Sequence, residues 1–163
     1  MRMETHIRPK AKRGAGLIIS YDFQDHHGLK LLVGRTPGGA ICFAGFTDDA
    51  KIIQRYYPKA VLQETGAAQN PALESDFYVE GTALQIAVWQ TLLKLPAGQT
   101  ITYKELAQRL GRPQSVRAVA NAVAANPVSL FVPCHRIVHT NPGRMGYAWG
   151  AEIKQQLLTQ ERR

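Results

Sequence analysis

Apolar positions follow two different rhythms along this chain, and the change comes near its middle. In the first half, Gly16–Phe23 and Leu29–Arg35 are apolar runs that partly alternate with polar residues, the period of half-buried strands. Gln24-Asp25-His26-His27-Gly28 separates them as a turn, and Thr36-Pro37-Gly38-Gly39 makes the next one. Ala40–Phe46 follows as a third strand, so the pattern predicts a three-stranded antiparallel meander. Ala50–Tyr57 carries apolar residues at helical spacing. Asp48-Asp49 stand before it, where acids favour a helix start, and Pro58 closes it. Residues 63–76 are small and polar and read as a connecting loop.

From residue 82 the period is helical. Leu84, Ala87, Val88, Leu92 and Leu95 form a stripe along Leu84–Leu95, stopped by Pro96-Ala97-Gly98. Thr102-Tyr103-Lys104-Glu105 is a capping box that opens a short helix, Tyr103–Leu110. Gly111-Arg112-Pro113 turns the chain, and a second helix runs from about Gln114 to Ala125. Two helices joined by a short glycine turn are the helix-turn-helix pattern. The predicted class is therefore α/β of the α+β kind. A small N-terminal lobe, residues 1–76, holds the three-stranded sheet, its helix, a basic tail and the loop; residues 77–163 form a helical C-terminal lobe.

Composition narrows the possible partners. The 163 residues include 20 Lys and Arg against 12 Asp and Glu, a net charge of +8, with 45% hydrophobic residues. Such a surplus favours polyanions. No apolar stretch approaches the ~20 residues of a transmembrane helix, and the basic N-terminus lacks the apolar segment of a secretory signal. No membrane association and a cytoplasmic location are expected. Two distant cysteines, Cys42 and Cys134, make no disulfide framework. Cys42 fits a small buried position in a strand. His26-His27 lack further ligands at useful spacing, so no metal is expected.

The second helix shows what a DNA contact would be like. Val116, Val119 and Val123 face the protein body, while Ser115, Arg117, Ala118, Asn121, Ala122 and Ala125 form the other face. Reading bases needs several long donors. One Arg on a bed of small side chains suits close approach with little sequence preference. Cys134-His135 supplies the candidate chemistry, because a thiol attacks as thiolate and a neighbouring imidazole helps to produce one. Taken alone, the pair leaves open a buried structural cysteine, a hydrolase nucleophile or a redox thiol.

Seven stretches define a resemblance. Val88-Trp89-Gln90, Thr100-Ile101-Thr102-Tyr103, Ser115-Val116-Arg117-Ala118-Val119, Ala125-Asn126-Pro127, Pro133-Cys134-His135-Arg136 and Gly146-Tyr147 stand in order, followed by Leu157-Leu158-Thr159-Gln160-Glu161. From about Gly81 to Glu161 the chain resembles the O6-alkylguanine-DNA alkyltransferases, also called methylated-DNA–protein-cysteine methyltransferases. The resemblance implies direct reversal of damage without a cofactor. Double-stranded DNA carrying O6-alkylguanine is bound from the minor groove, the base is flipped out, and its alkyl group moves irreversibly to Cys134. Cys134, His135 and Glu161 would form a Cys–water–His–Glu relay, with Tyr103 as proton donor to the base and Asn126 joining recognition helix to nucleophile. Arg117 would fill the place of the flipped base. Tyr103, Lys104, Arg112, Ser115, Ala118 and Thr140 match DNA-contact positions, and Val123, Ile137, Tyr147 and Ala148 match the base pocket. A monomer is implied; cooperative assembly on DNA and activity on O4-alkylthymine stay open. A non-enzymatic lesion-binding protein of the same fold is the alternative, with a transcription regulator and a multiple-turnover cysteine hydrolase as further ones.

Overall fold

The computed structural model describes residues 3–7, 15–65, 76–141, 143–144 and 146–163. It divides into two compact units, Met1–Thr82 and Ala83–Arg163.

The first unit is built on a six-stranded mixed sheet rather than the expected three-stranded meander. Strands β2 (Ile18–His26), β3 (Leu29–Arg35) and β4 (Ile41–Gly45) do form an antiparallel meander. Three short strands extend it in parallel: β5 (Val61–Glu64) beside β2, β6 (Phe77–Gly81) beside β4, and β1 (Met3–Ile7) beside β6. Residues 3–7, expected in a basic tail, are therefore sheet, and Gln63 and Glu64 of the expected loop are strand. The rest of that tail, 1–2 and 8–13, and loop residues 66–75 lie outside the described residues. Residues 77–82, expected in the second lobe, belong to the first unit because β6 completes its sheet.

The first hairpin turns more tightly than its polar composition suggests. Gln24–His26 stay in β2, and only His27 and Gly28 turn, with φ of 49° and 85°. Two successive positive φ values suit the twist of the flanking strands. Asp25 Oδ2 accepts from Gly28 N at 3.2 Å. Behind the sheet, a 3-10 turn (Ala50–Ile52), capped by Asp49 on Lys51 N at 3.0 Å, leads into helix α1 (Ile53–Tyr56). Ile53 and Tyr57 are fully buried, and the Tyr57 hydroxyl donates to Cys42 O at 2.7 Å. Gly34 permits this packing: a Cβ there would stand 2.9 Å from Ile19 Cγ2 and 3.3 Å from Phe43 Cβ.

The second unit contains helices α2 (Ala83–Leu92), α3 (Tyr103–Arg109), α4 (Val116–Ala124) and α5 (Ala151–Glu161). Two-residue strands β7 (Ile101–Thr102) and β8 (Ile137–Val138) pair in parallel. Thr102 caps α3, its Oγ1 accepting from Glu105 N at 3.0 Å. The buried stripe of α2 is rotated from the one expected: Ile86, Val88, Trp89 and Leu92 face inward, and Leu84 and Ala87 are only half-buried. The large indole turns the helix, and its Nε1 donates to Ala122 O on α4 at 2.9 Å. For the same reason Ala122, expected on the open face of α4, is buried at 3% exposure, and Ala125 is half-buried. Arg117, Ala118, Asn121 and Ala124 form the exposed face instead. No described helix is long and apolar enough to cross a membrane.

Candidate functional site

The end of α4 and the segment after it place the thiol. Asn126 follows that helix, buried at 3% exposure. Its Nδ2 donates to Val132 O at 2.8 Å and its Oδ1 accepts from Val128 N at 2.9 Å. One side chain thus closes residues 126–132 into a fixed loop. Pro133 follows, and Cys134–Arg136 form a 3-10 turn in which Cys134 N donates to Val132 O at 2.8 Å. Replacing Asn126 by alanine is expected to lower stability by about 3 kcal/mol, because a buried amide and carbonyl lose their partners. Urea denaturation measures this.

Cys134, 6% exposed, lines a cavity of about 310 Å³ with Tyr103, Val123, Ala124, Asn126, Ser129, Gly146, Tyr147 and Ala148. This volume lies at the small end of ligand sites. Burial pushes the thiol pKa up, while hydrogen bonds from Asn126 and Ser129 and the charge of Lys154 act the other way. Two tyrosines face the same space. Burial, and then the nearby thiolate, raises Tyr103 and drives Tyr147 well above 10.0. The Tyr147 hydroxyl is buried without a hydrogen bond of ordinary geometry, although Ser129 lies near enough to oppose the rise. Both groups are therefore held as phenols, able to donate a proton.

His135 is fully buried. Its Nε2 lies 2.7 Å from Glu161 Oε1, and Nδ1 is buried without a protein partner. A carboxylate can only accept, so the neutral ring donates from Nε2 and leaves Nδ1 as a free base. Burial lowers the imidazole pKa, and Glu161 opposes it. Glu161 is the last residue of α5, where a negative charge opposes the helix dipole. Arg136 answers it with Nη2 at 2.7 Å from Oε1 and Nε at 3.0 Å from Oε2, while Nη1 holds Leu95 O at 2.6 Å. Burial alone would raise the Glu161 carboxyl, yet Arg136 and His135 together bring it below its ordinary value.

Of the residues chosen from sequence, Cys134, Tyr103, Asn126, Val123, Tyr147 and Ala148 meet at the cavity. His135, next to Cys134 in sequence, is joined to Glu161, and neither lines the cavity. Ile137 is also outside the lining: its side chain is fully buried, and its carbonyl accepts from Lys154 Nζ at 2.6 Å. Lys104, Arg112, Arg117, Ala118 and Thr140 are exposed outside the cavity, and Ser115 is half-buried at the start of α4.

Three participants were not picked out from sequence. Ser129 accepts from Trp149 Nε1 at 2.8 Å and faces the thiol. His139 packs its ring on Tyr103. Lys154 is buried at 1% exposure and donates to Ile137 O and, at 3.0 Å, to Gly146 O. Burial lowers its pKa, and the thiolate opposes this. A signal for Lys154 was present: with Leu157, Leu158 and Glu161 it sits at i, i+3, i+4 and i+7, the inward stripe of α5. Among the described residues no group of three His, Cys, Asp or Glu could hold a metal ion.

Comparison with known proteins gives consistent matches. Residues 83–163 match the family described as 6-O-methylguanine DNA methyltransferase, DNA binding domain. The regulatory protein ada of Salmonella typhimurium is 46% identical over 168 residues, 92% of this chain and 47% of that protein. The chain thus spans about half the length of the Ada relatives it matches. A probable methylated-DNA–protein-cysteine methyltransferase of Acanthamoeba polyphaga mimivirus is 46% identical over 119 residues, 72% of this chain and 79% of that protein. Among solved structures, Mycobacterium tuberculosis OGT in complex with DNA superposes with a TM-score of 0.70 at 25% identity, covering 88% of this chain and 92% of that one.

Proposed function

The chain belongs to the methylated-DNA–protein-cysteine methyltransferases, and from that premise we propose that it repairs O6-alkylguanine in double-stranded DNA by moving the alkyl group to Cys134. One observation carries the reading: a thiol and two phenols line one cavity, beside a buried imidazole whose free nitrogen is backed by a carboxylate.

The chemistry balances. His135 Nδ1 takes the thiol proton through a water, and Glu161 stabilises the resulting imidazolium. The thiolate attacks the alkyl carbon, a C–S bond forms, and the C–O bond breaks with its electron pair moving to the base. Tyr103 donates a proton, so the base leaves neutral. The thioether is stable, and each molecule acts once. Val123, Tyr147 and Ala148 enclose the base, and the carbonyl of Ile137 keeps a second lone pair for its amino group. The base must leave the stack to reach a buried sulfur, at a cost of a few kcal/mol.

We assign DNA binding to α3 and α4 as a helix-turn-helix in the minor groove, with the chain acting as a monomer. Lys104, Arg112, Ser115, Ala118 and Thr140 contact the backbone, and Arg117 enters the duplex in place of the flipped base. The exposed face of small residues around Arg117 supports this. Replacing Arg117 by alanine is then expected to slow repair in duplex about tenfold and in single strands much less. Equal losses on both substrates would refute the finger role.

Intact-mass measurement after incubation with duplex O6-methylguanine DNA tests the whole reading. The expected result is one methyl per chain on Cys134 and no more. Tight binding without a mass gain would indicate a lesion-binding protein, and catalytic turnover a hydrolase.

A further inference from the structure

His139 carries an aromatic ring into the candidate site, and the transfer chemistry above leaves it without a task. Its position follows from a strand ladder. β7 and β8 run parallel with Ile101 opposite Ile137 and Thr102 opposite Val138. One residue further along each segment stand Tyr103 and His139. Neighbours across a parallel ladder lie side by side, and these two rings meet with centroids 4.8 Å apart and planes 44° apart. That separation is within the range of favourable aromatic pairs. The imidazole also reaches Gly146: a Cβ at that glycine would stand 3.6 Å from His139 Nε2. His139 therefore packs on one residue that lines the cavity and lies near a second, without lining it itself.

Tyr103 lines the cavity at the start of α3, and the imidazole of His139 packs against its ring there. The charged groups facing His139 are Arg144, in the segment after β8, and Lys154, on α5. Burial lowers the imidazole pKa first and the two cations lower it further, which leaves a flat neutral ring as the partner of the phenol.

We propose that His139 is a positioning residue: its ring sets the plane of the Tyr103 ring and so aims the phenol at the departing base. The proposal rests on the alkyl-transfer reading. It differs from packing in general because its effect must pass through the Tyr103 hydroxyl.

Single-turnover transfer from duplex O6-methylguanine DNA tests it, with His139→Ala, His139→Leu and His139→Phe each made alone and with Tyr103→Phe. DNA Kd and Tm are measured alongside. His139→Ala is expected to slow transfer about fivefold at unchanged Kd. His139→Leu, which fills the space without a ring, is expected to be equally slow, and His139→Phe to restore the rate. In the Tyr103→Phe chain none of the three is expected to lose anything further. A wild-type rate in His139→Ala or His139→Leu overturns the proposal, as does failure of His139→Phe to restore it. The same loss persisting in the Tyr103→Phe chain overturns it too. Should the unmodified protein gain no methyl at all, the transfer reading itself fails, which the wild-type control shows separately.

Discussion

A Cys134→Ala chain is expected to gain no methyl from O6-methylguanine duplex, while the wild-type chain gains one and then stops. The cavity contains a single thiol. The other cysteine, Cys42, cannot substitute: it is fully buried in β4 of the first unit, and burial pushes its thiol up to about 12. Protonated sulfur is a poor nucleophile. The variant should stay folded at a loss of about 1 kcal/mol, since Asn126 keeps Val132 and Val128, and Ser129 keeps Trp149. DNA binding should survive, because the exposed cations at 104, 112 and 117 lie outside the cavity. Intact mass and a binding titration on the same preparation check both halves. Any mass gain in the variant would move the acceptor elsewhere.

Replacing Glu161 by glutamine is expected to slow transfer by up to about 10⁴-fold, the loss that removing the orienting carboxylate causes in related triads. The carboxylate accepts from His135 and from two nitrogens of Arg136 at once. An amide presents one oxygen and a donor nitrogen, so one of these donors meets another donor, and the imidazolium loses its counter-charge. The same substitution changes the response to acid. Folding depresses the Glu161 pKa, so the carboxylate contributes stability fully above its ordinary 4.5, and this is lost as pH falls through the lower folded value. His135 adds an earlier slope. Its folded pKa is also depressed, so the unfolded chain takes up a proton first, and stability starts to fall as pH drops below 6.5. Urea denaturation between pH 8 and about pH 3 should show both declines in the wild-type chain. Only the earlier one should remain in Glu161→Gln. A variant with unchanged rate would remove Glu161 from the relay.

Features set by residues contiguous in sequence are legible in it. Thr102 and Glu105 announced the start of α3, and that start carries Tyr103 to the cavity. Asn126 could be read as a helix end, and its two hydrogen bonds within residues 126–132 are local in the same way. What failed depended on distant partners. The strands β1, β5 and β6 are short, and each owes its conformation to a neighbour already in the sheet, so their own residues show no clear alternation. Ala122 belongs to the buried face of α4 because α2 packs there, with Trp89 donating to its carbonyl. Ser129 matters through Trp149, the thiol and Tyr147, and a serine in a loop gives no sign of any of them. Cys134, His135 and Glu161 were tied together through the family resemblance; spacing alone does not reveal that the end of α5 returns to the 3-10 turn.

Lys154 has a consequence for the molecule after use. Its ammonium is enclosed with two carbonyl oxygens, and the sulfur is the site that can offer it a full negative charge. Once that sulfur holds a carbon substituent it can never again be an anion. On the proposed transfer, the interior then loses a group whose ionisation could balance Lys154, a change as permanent as the thioether itself. A spent chain would differ from a fresh one in the charge states open to it as well as in its mass.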